Sequence, residues 1–140
     1  MKGRVLTAGA AMAAGLTLTT AHAVVTRDNF PPKTTADLVA LCTAQQNDPL
    51  ETAAVNFCQG FTEGAVEIAL SYSAAGPQSR RPFCLPTPPP SLDQAASGFA
   101  SWAGGDPARM QQPAVVGLIS YLIERYPCPP AAVTQRRPQK

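Results

Sequence analysis

A chain of 140 residues with four cysteines and 15 prolines is one domain's worth of polypeptide, near the size at which an apolar core alone stabilises only modestly and covalent staples help. Its formal charge of +2 comes from 11 basic and nine acidic residues, which leaves no basic footprint for nucleic acid beyond Arg136, Arg137 and Lys140. That cluster reads as a solvated, flexible basic tail over 131–140.

At the N-terminus, Lys2 and Arg4 precede a run of small and apolar residues from Val5 to about Leu18, and Ala21-His22-Ala23 follows. The charged, apolar, A-x-A order is that of a secretory signal peptide. It predicts cleavage after Ala23, Val24 as the mature N-terminus and an exported protein. Gly and Thr dilute the run, which falls short of the roughly 20 strongly apolar residues a spanning helix needs. Stable membrane insertion after cleavage is therefore not expected. Losing Lys2 and Arg4 brings the basic residues down to nine, equal to the acidic ones, and the only histidine, His22, leaves with the leader.

Residues 24–33 contain Pro31-Pro32 and read as an extended lead-in. Thr34 or Thr35 can then cap a short helix, Ala36 to Thr43, with Leu38, Leu41 and Cys42 on its apolar face. After Gln45-Gln46-Asn47, the run Asp48-Pro49-Leu50-Glu51 supplies a cap, a proline at the first helical position and a back-reaching carboxylate. Leu50, Ala54, Phe57, Phe61, Ala65, Ile68 and Tyr72 recur at intervals of three or four, with Asn56, Gln59, Glu63 and Glu67 on the other side. This second helix should reach about Ala75 and end at Gly76-Pro77. Gly60 and Gly64 cost it about 1 kcal/mol each in propensity, and their spacing favours the close approach of a neighbouring helix.

A proline-rich loop over 76–90 carries Arg80, Arg81 and Cys84. Ser91-Leu92-Asp93-Gln94 is a second capping box, opening a helix whose face is Leu92, Ala95, Phe99 and Trp102 and whose end is Gly104-Gly105. Asp106-Pro107 restarts the chain as a single turn. A last helix from Pro113 places Val115, Ile119, Leu122 and Tyr126 on its buried stripe, and Pro127 stops it. No alternating run is long enough to make a strand. The predicted fold is all-α, a small disulfide-stapled bundle of about four helices in one domain spanning 34–130.

Four cysteines, Cys42, Cys58, Cys84 and Cys128, allow three pairings, among which sequence alone does not choose. If the second, third and fourth helices run antiparallel in order, Cys84 and Cys128 meet at one end of the bundle, which favours that pair and leaves Cys42 with Cys58. Zinc ligands usually come in close pairs, and a reactive thiol wants a basic neighbour and a reducing compartment. Structural disulfides are the reading these spacings favour.

Without a histidine in the mature chain, neither a Ser-His-Asp nor a Cys-His hydrolase can be assembled. No phosphate-binding glycine loop or metal-ligand cluster is present, so neither a cofactor nor a metal is expected. Glu63 and Glu67, one helical turn apart among polar neighbours, read as a solvated face. Binding is the expected class of function, not catalysis.

Asp37-Leu38 followed by Cys42, then Cys58-Gln59-Gly60-Phe61 with Gly64, Phe83-Cys84-Leu85-Pro86 and Tyr126-Pro127-Cys128-Pro129, in that order, resembles the Rap/Tai family of type VI secretion immunity proteins. The likeness spans about residues 34 to 130. It implies a small helical periplasmic protein, often a homodimer, that binds and blocks a cell-wall-degrading amidase effector delivered by neighbouring bacteria. The stretch Pro86-Thr87-Pro88-Pro89-Pro90 is longer than the loop that resemblance implies. For such occlusion the candidate contacts are Arg80 and Arg81 in the proline-rich loop, and Asp106, Arg109 and Met110 between the last two helices. Trp102 is a further candidate anchor, although its spacing from Phe99 favours the core. The rival readings are a small periplasmic stress chaperone of the HdeA type and an accessory envelope protein.

Overall fold

Thr34 opens the first helix, α1 (Thr35–Cys42), with a reciprocal cap: Asp37 N donates to Thr34 Oγ1 at 3.2 Å, and Thr34 N donates to the Asp37 carboxylate at 2.9 Å. The carboxylate also accepts from Lys33 N, Thr34 Oγ1 and Asn29 Nδ2, at 3.1, 2.9 and 2.9 Å. Burial pushes this carboxyl up, but the donors from Thr34, Asn29 and Lys33 outweigh it and hold the group below its ordinary value of 3.8. A carboxyl lowered in the folded state adds stability above its ordinary value, and that contribution is lost as pH falls through the folded one. Asp37→Ala should therefore cost about 1–2 kcal/mol at neutral pH, and the deficit should shrink as pH falls below the ordinary value of 3.8 and through the lower folded one. Urea unfolding of both proteins across that range checks it, and a deficit independent of pH would contradict it.

The structure is a computed structural model that describes residues 24–75 and 81–129. The expected leader, the Gly76-Pro77 break, Arg80 and the tail over 131–140 lie outside them. A 3-10 turn at Arg27–Asn29 precedes α1, followed by α2 (Glu51–Ala75), α3 (Leu92–Gly104), the single turn α4 (Pro107–Met110) and α5 (Ala114–Arg125). Four of the five helices are longer than one turn, and no strand occurs among the described residues. The fold is all-α.

The short helix α1 is the hub, packed against α2, α3 and α5. Its start is tied to that of α5 by an isolated antiparallel bridge between Thr34 and Pro113, where Thr35 N donates to Gln112 O at 2.8 Å and Ala114 N to Lys33 O at 3.1 Å. Thr35 is fully buried there, and the missing side chain of Gly117 makes room for it. The main core gathers Leu38, Phe83, Phe99, Leu118, Tyr121 and Leu122. A smaller cluster holds Val25, Leu41, Ala54 and Cys58. The lead-in is thus more than an extended arm: Val25 is buried and its N–H donates to Asp48 Oδ2 at 2.9 Å.

Asp48 also accepts Leu50 N at 2.8 Å, but Glu51 does not close the expected box, because its carboxylate takes the Thr52 hydroxyl at 3.0 Å instead. Along α2 the inward stripe runs through Ala54, Cys58, Phe61, Ala65 and Ala69, with Val66 and Leu70 beside it. Ile68 and Tyr72, expected on that stripe, are 61 % and 80 % exposed. The Cys42–Cys58 bond, with its Cα atoms 5.1 Å apart, sets this rotation by facing Cys58 toward α1. Gly60 and Gly64 then face outward, and a Cβ on either would meet nothing within 4 Å, so no helix among the described residues approaches them. In α5 the buried residues are Ala114, Gly117, Leu118, Tyr121 and Leu122. Val115 is exposed, and Ile119 and Tyr126 are half-buried. The bridge at Pro113 and the seating of Thr35 on Gly117 turn the helix that way.

Candidate partner-binding surface

The second disulfide joins Cys84 to Cys128 with Cα atoms 4.8 Å apart, and Cys84 N donates to Tyr126 O at 2.8 Å. Together these clamp the proline-rich loop to the chain leaving α5. Phe83, just before Cys84, is buried in the core and anchors the loop from below. Arg81 stands exposed at the start of the described part of this loop.

The other candidates meet at the junction of α3 and α4. The Arg109 guanidinium lies 4.3 Å from the centroid of the Trp102 ring, and its Nη1 donates to Trp102 O at 2.9 Å. Glu124 Oε2, on α5, accepts from Trp102 Nε1 at 2.6 Å and from Arg109 Nη2 at 3.3 Å. Trp102 is therefore neither a free anchor nor fully core: its ring stacks on Phe99 at 6.3 Å and is half-buried beneath Arg109. Asp106 caps α4 by accepting Ala108 N at 2.9 Å and is otherwise exposed, while Met110 is half-buried. Nothing in the sequence points to Glu124, because its partners lie 15 and 22 residues away with no local spacing to mark them. The Arg109–Glu124 pair is partly exposed, so it adds little stability. Glu124→Ala should cost less than about 1 kcal/mol yet red-shift the emission of Trp102, the single tryptophan. An unmoved spectrum would deny that Glu124 holds the ring.

Between α2 and the paired wall of proline loop and α3 runs an open groove of about 620 Å³. Thr62, Val66, Glu63 and Glu67 line one side, Leu85, Pro89, Pro90 and Leu92 the other, and Phe99, Leu118, Tyr121 and Leu122 the floor. The Tyr121 hydroxyl is pushed up to about 12, first by burial and then by the neighbouring Tyr126, with Arg125 working the other way. Because the folded value is raised, the stability it contributes is present below the ordinary value of 10.0 and is lost as pH rises toward 12. Sequence periodicity did not reveal the groove, since it arises from the splay of α2 away from α3. Among the described residues no group of His, Cys, Asp and Glu is placed to hold a metal, and no helix is long and apolar enough to cross a membrane.

Two disulfides staple this small helical domain beside an apolar groove, one joining α1 to α2 and the other joining the proline-rich loop to the segment after α5. The sequence model of the Rap1a immunity proteins matches residues 34–128, from the Thr34 cap to the Cys128 half of the second disulfide. The chain belongs to this family of immunity proteins, which are generally not enzymes. No curated protein and no solved structure matches it.

Proposed function

We propose that this protein is a periplasmic immunity protein that binds a peptidoglycan amidase delivered by type VI secretion and occludes its catalytic cleft. The family match over residues 34–128 carries the reading. The leader-like order of residues 1–23 and two disulfides support export to an oxidising compartment. Seating of Val25 in the small cluster with Leu41, Ala54 and Cys58 fits cleavage after Ala23, which makes Val25 the second residue of the mature chain. Occlusion requires a pre-organised surface and a few anchoring side chains, not chemistry by the immunity protein itself.

In this reading Arg80, Arg81, Asp106 and Met110 contribute contacts, and Trp102 and Arg109 present a surface held rigid by Glu124. Calorimetric titration of the oxidised mature chain into purified type VI amidase effectors of the source bacterium tests it. One effector should bind at a fixed stoichiometry and lose its peptidoglycan-cleaving activity, and binding should weaken when Arg80 and Arg81 are both changed to Glu. Failure to bind or inhibit any of them overturns the reading, whereas unaltered affinity of the arginine variant removes only those two residues from the interface.

A further inference from the structure

The groove between α2 and the proline-rich wall is a concave surface that Arg81, Trp102, Asp106, Arg109 and Met110 do not line. We propose that it is the docking site for the effector and that it receives an apolar side chain of the effector flanked by a lysine or arginine, an inference that rests on the immunity reading.

Three features carry it. The floor and the proline-loop wall are apolar, formed by Phe99 and Leu122 together with Leu85, Pro89 and Pro90, and Val66 adds an apolar contact on the otherwise polar α2 side. An apolar, partly enclosed trough of about 620 Å³ is where a buried anchor concentrates binding energy. Among the described residues, the charged ones lining it are Glu63 and Glu67, and no lysine or arginine does so. These two carboxylates lie one turn apart on α2, both exposed, and Gln59 Nε2 donates to Glu63 Oε1 at 3.0 Å and so orients it. A pair of carboxylates beside an apolar trough favours an incoming segment that places a cation next to its anchor and disfavours one carrying an acid. The walls are also fixed in advance. Cys42 and Cys58 line the groove and hold α2, while the Cys84–Cys128 bond holds the opposite wall immediately before Leu85. A groove whose two sides are covalently set loses little freedom when it is filled.

Two variants of the full mature chain test the site against the amidase effector that the wild type inhibits. Glu63→Lys with Glu67→Lys changes only exposed side chains, and Ala96→Trp fills the trough from α3. Each should weaken effector binding at least tenfold by calorimetry and restore peptidoglycan cleavage at protein concentrations where the wild type blocks it, with melting temperature confirming the fold. Raising the salt concentration should weaken the wild type more than the double lysine variant. Wild-type affinity in the double lysine variant overturns the groove as the docking site while leaving the immunity reading intact. A wild type that binds no amidase effector overturns both. Two further results would also refute the proposal by assigning the groove to another occupant: loss of self-association in sedimentation with effector affinity unchanged, or loss of a co-purified small molecule in native mass spectrometry with effector affinity unchanged.

Discussion

Exchanging Cys84 and Cys128 together for serine is expected to remove about 4 kcal/mol of stability, from the chain entropy released when a loop with a sequence separation of 44 is opened. The Cys42–Cys58 bond closes a separation of only 16, for which the same argument gives about 3 kcal/mol. A small domain has about 5–15 kcal/mol in total, so either loss takes a large share and the longer bond takes more. The structure adds a local consequence. Cys84–Cys128 and the Cys84–Tyr126 backbone bond clamp the loop that carries Phe83 into the core, so opening the disulfide loosens both a groove wall and a core anchor. Denaturant unfolding of the double serine variant, beside wild type with and without reductant, measures the effect. A loss below about 1 kcal/mol would show that the clamp is redundant with packing.

Gly117→Ala should destabilise by about 1–3 kcal/mol or more, the usual range for forcing atoms into a packed core. A Cβ there would collide with Thr35 Oγ1 and lie 3.0 Å from Thr35 Cβ and Cγ2. Thr35 has nowhere to go, because it is fully buried and its hydroxyl donates to Gln112 O at 3.2 Å. The collision falls where α1 and α5 are bridged, so the two helices would have to separate. Thr35→Ala removes two of the three obstructing atoms and should recover part of the loss in the double variant even though it is destabilising on its own. Thermal melts of the four proteins in a double-mutant cycle read the coupling directly. Additive costs would mean that Gly117 is tolerant for a reason other than Thr35.

Helix positions were legible because their starts are written locally. Thr34 with Asp37 and Ser91 with Gln94 form the reciprocal caps that open α1 and α3, and Asp106-Pro107 makes the single turn α4. Rotation about the helix axes was less legible. In α2 two apolar stripes compete, and the one bearing Cys58 faces inward because a covalent bond to α1 holds it there, leaving Ile68 and Tyr72 outside. In α5 the choice depends on Thr35, more than 80 residues away, finding space at Gly117. Nothing within α5 records that constraint. The candidate partner-binding surface was legible only in part: Trp102 and Arg109 were singled out, but Glu124, which joins them, has no mark in the sequence. Glu63 and Glu67 read as a solvated face because only the tertiary structure places an apolar trough beside them.

The measurement that bears most directly on function is peptidoglycan hydrolysis by the type VI amidase effectors of the source bacterium, titrated with the oxidised mature protein. The immunity reading predicts that one effector is silenced at equimolar protein and that reduction of the disulfides relieves the block. Undiminished hydrolysis by every such effector in excess oxidised protein would contradict it.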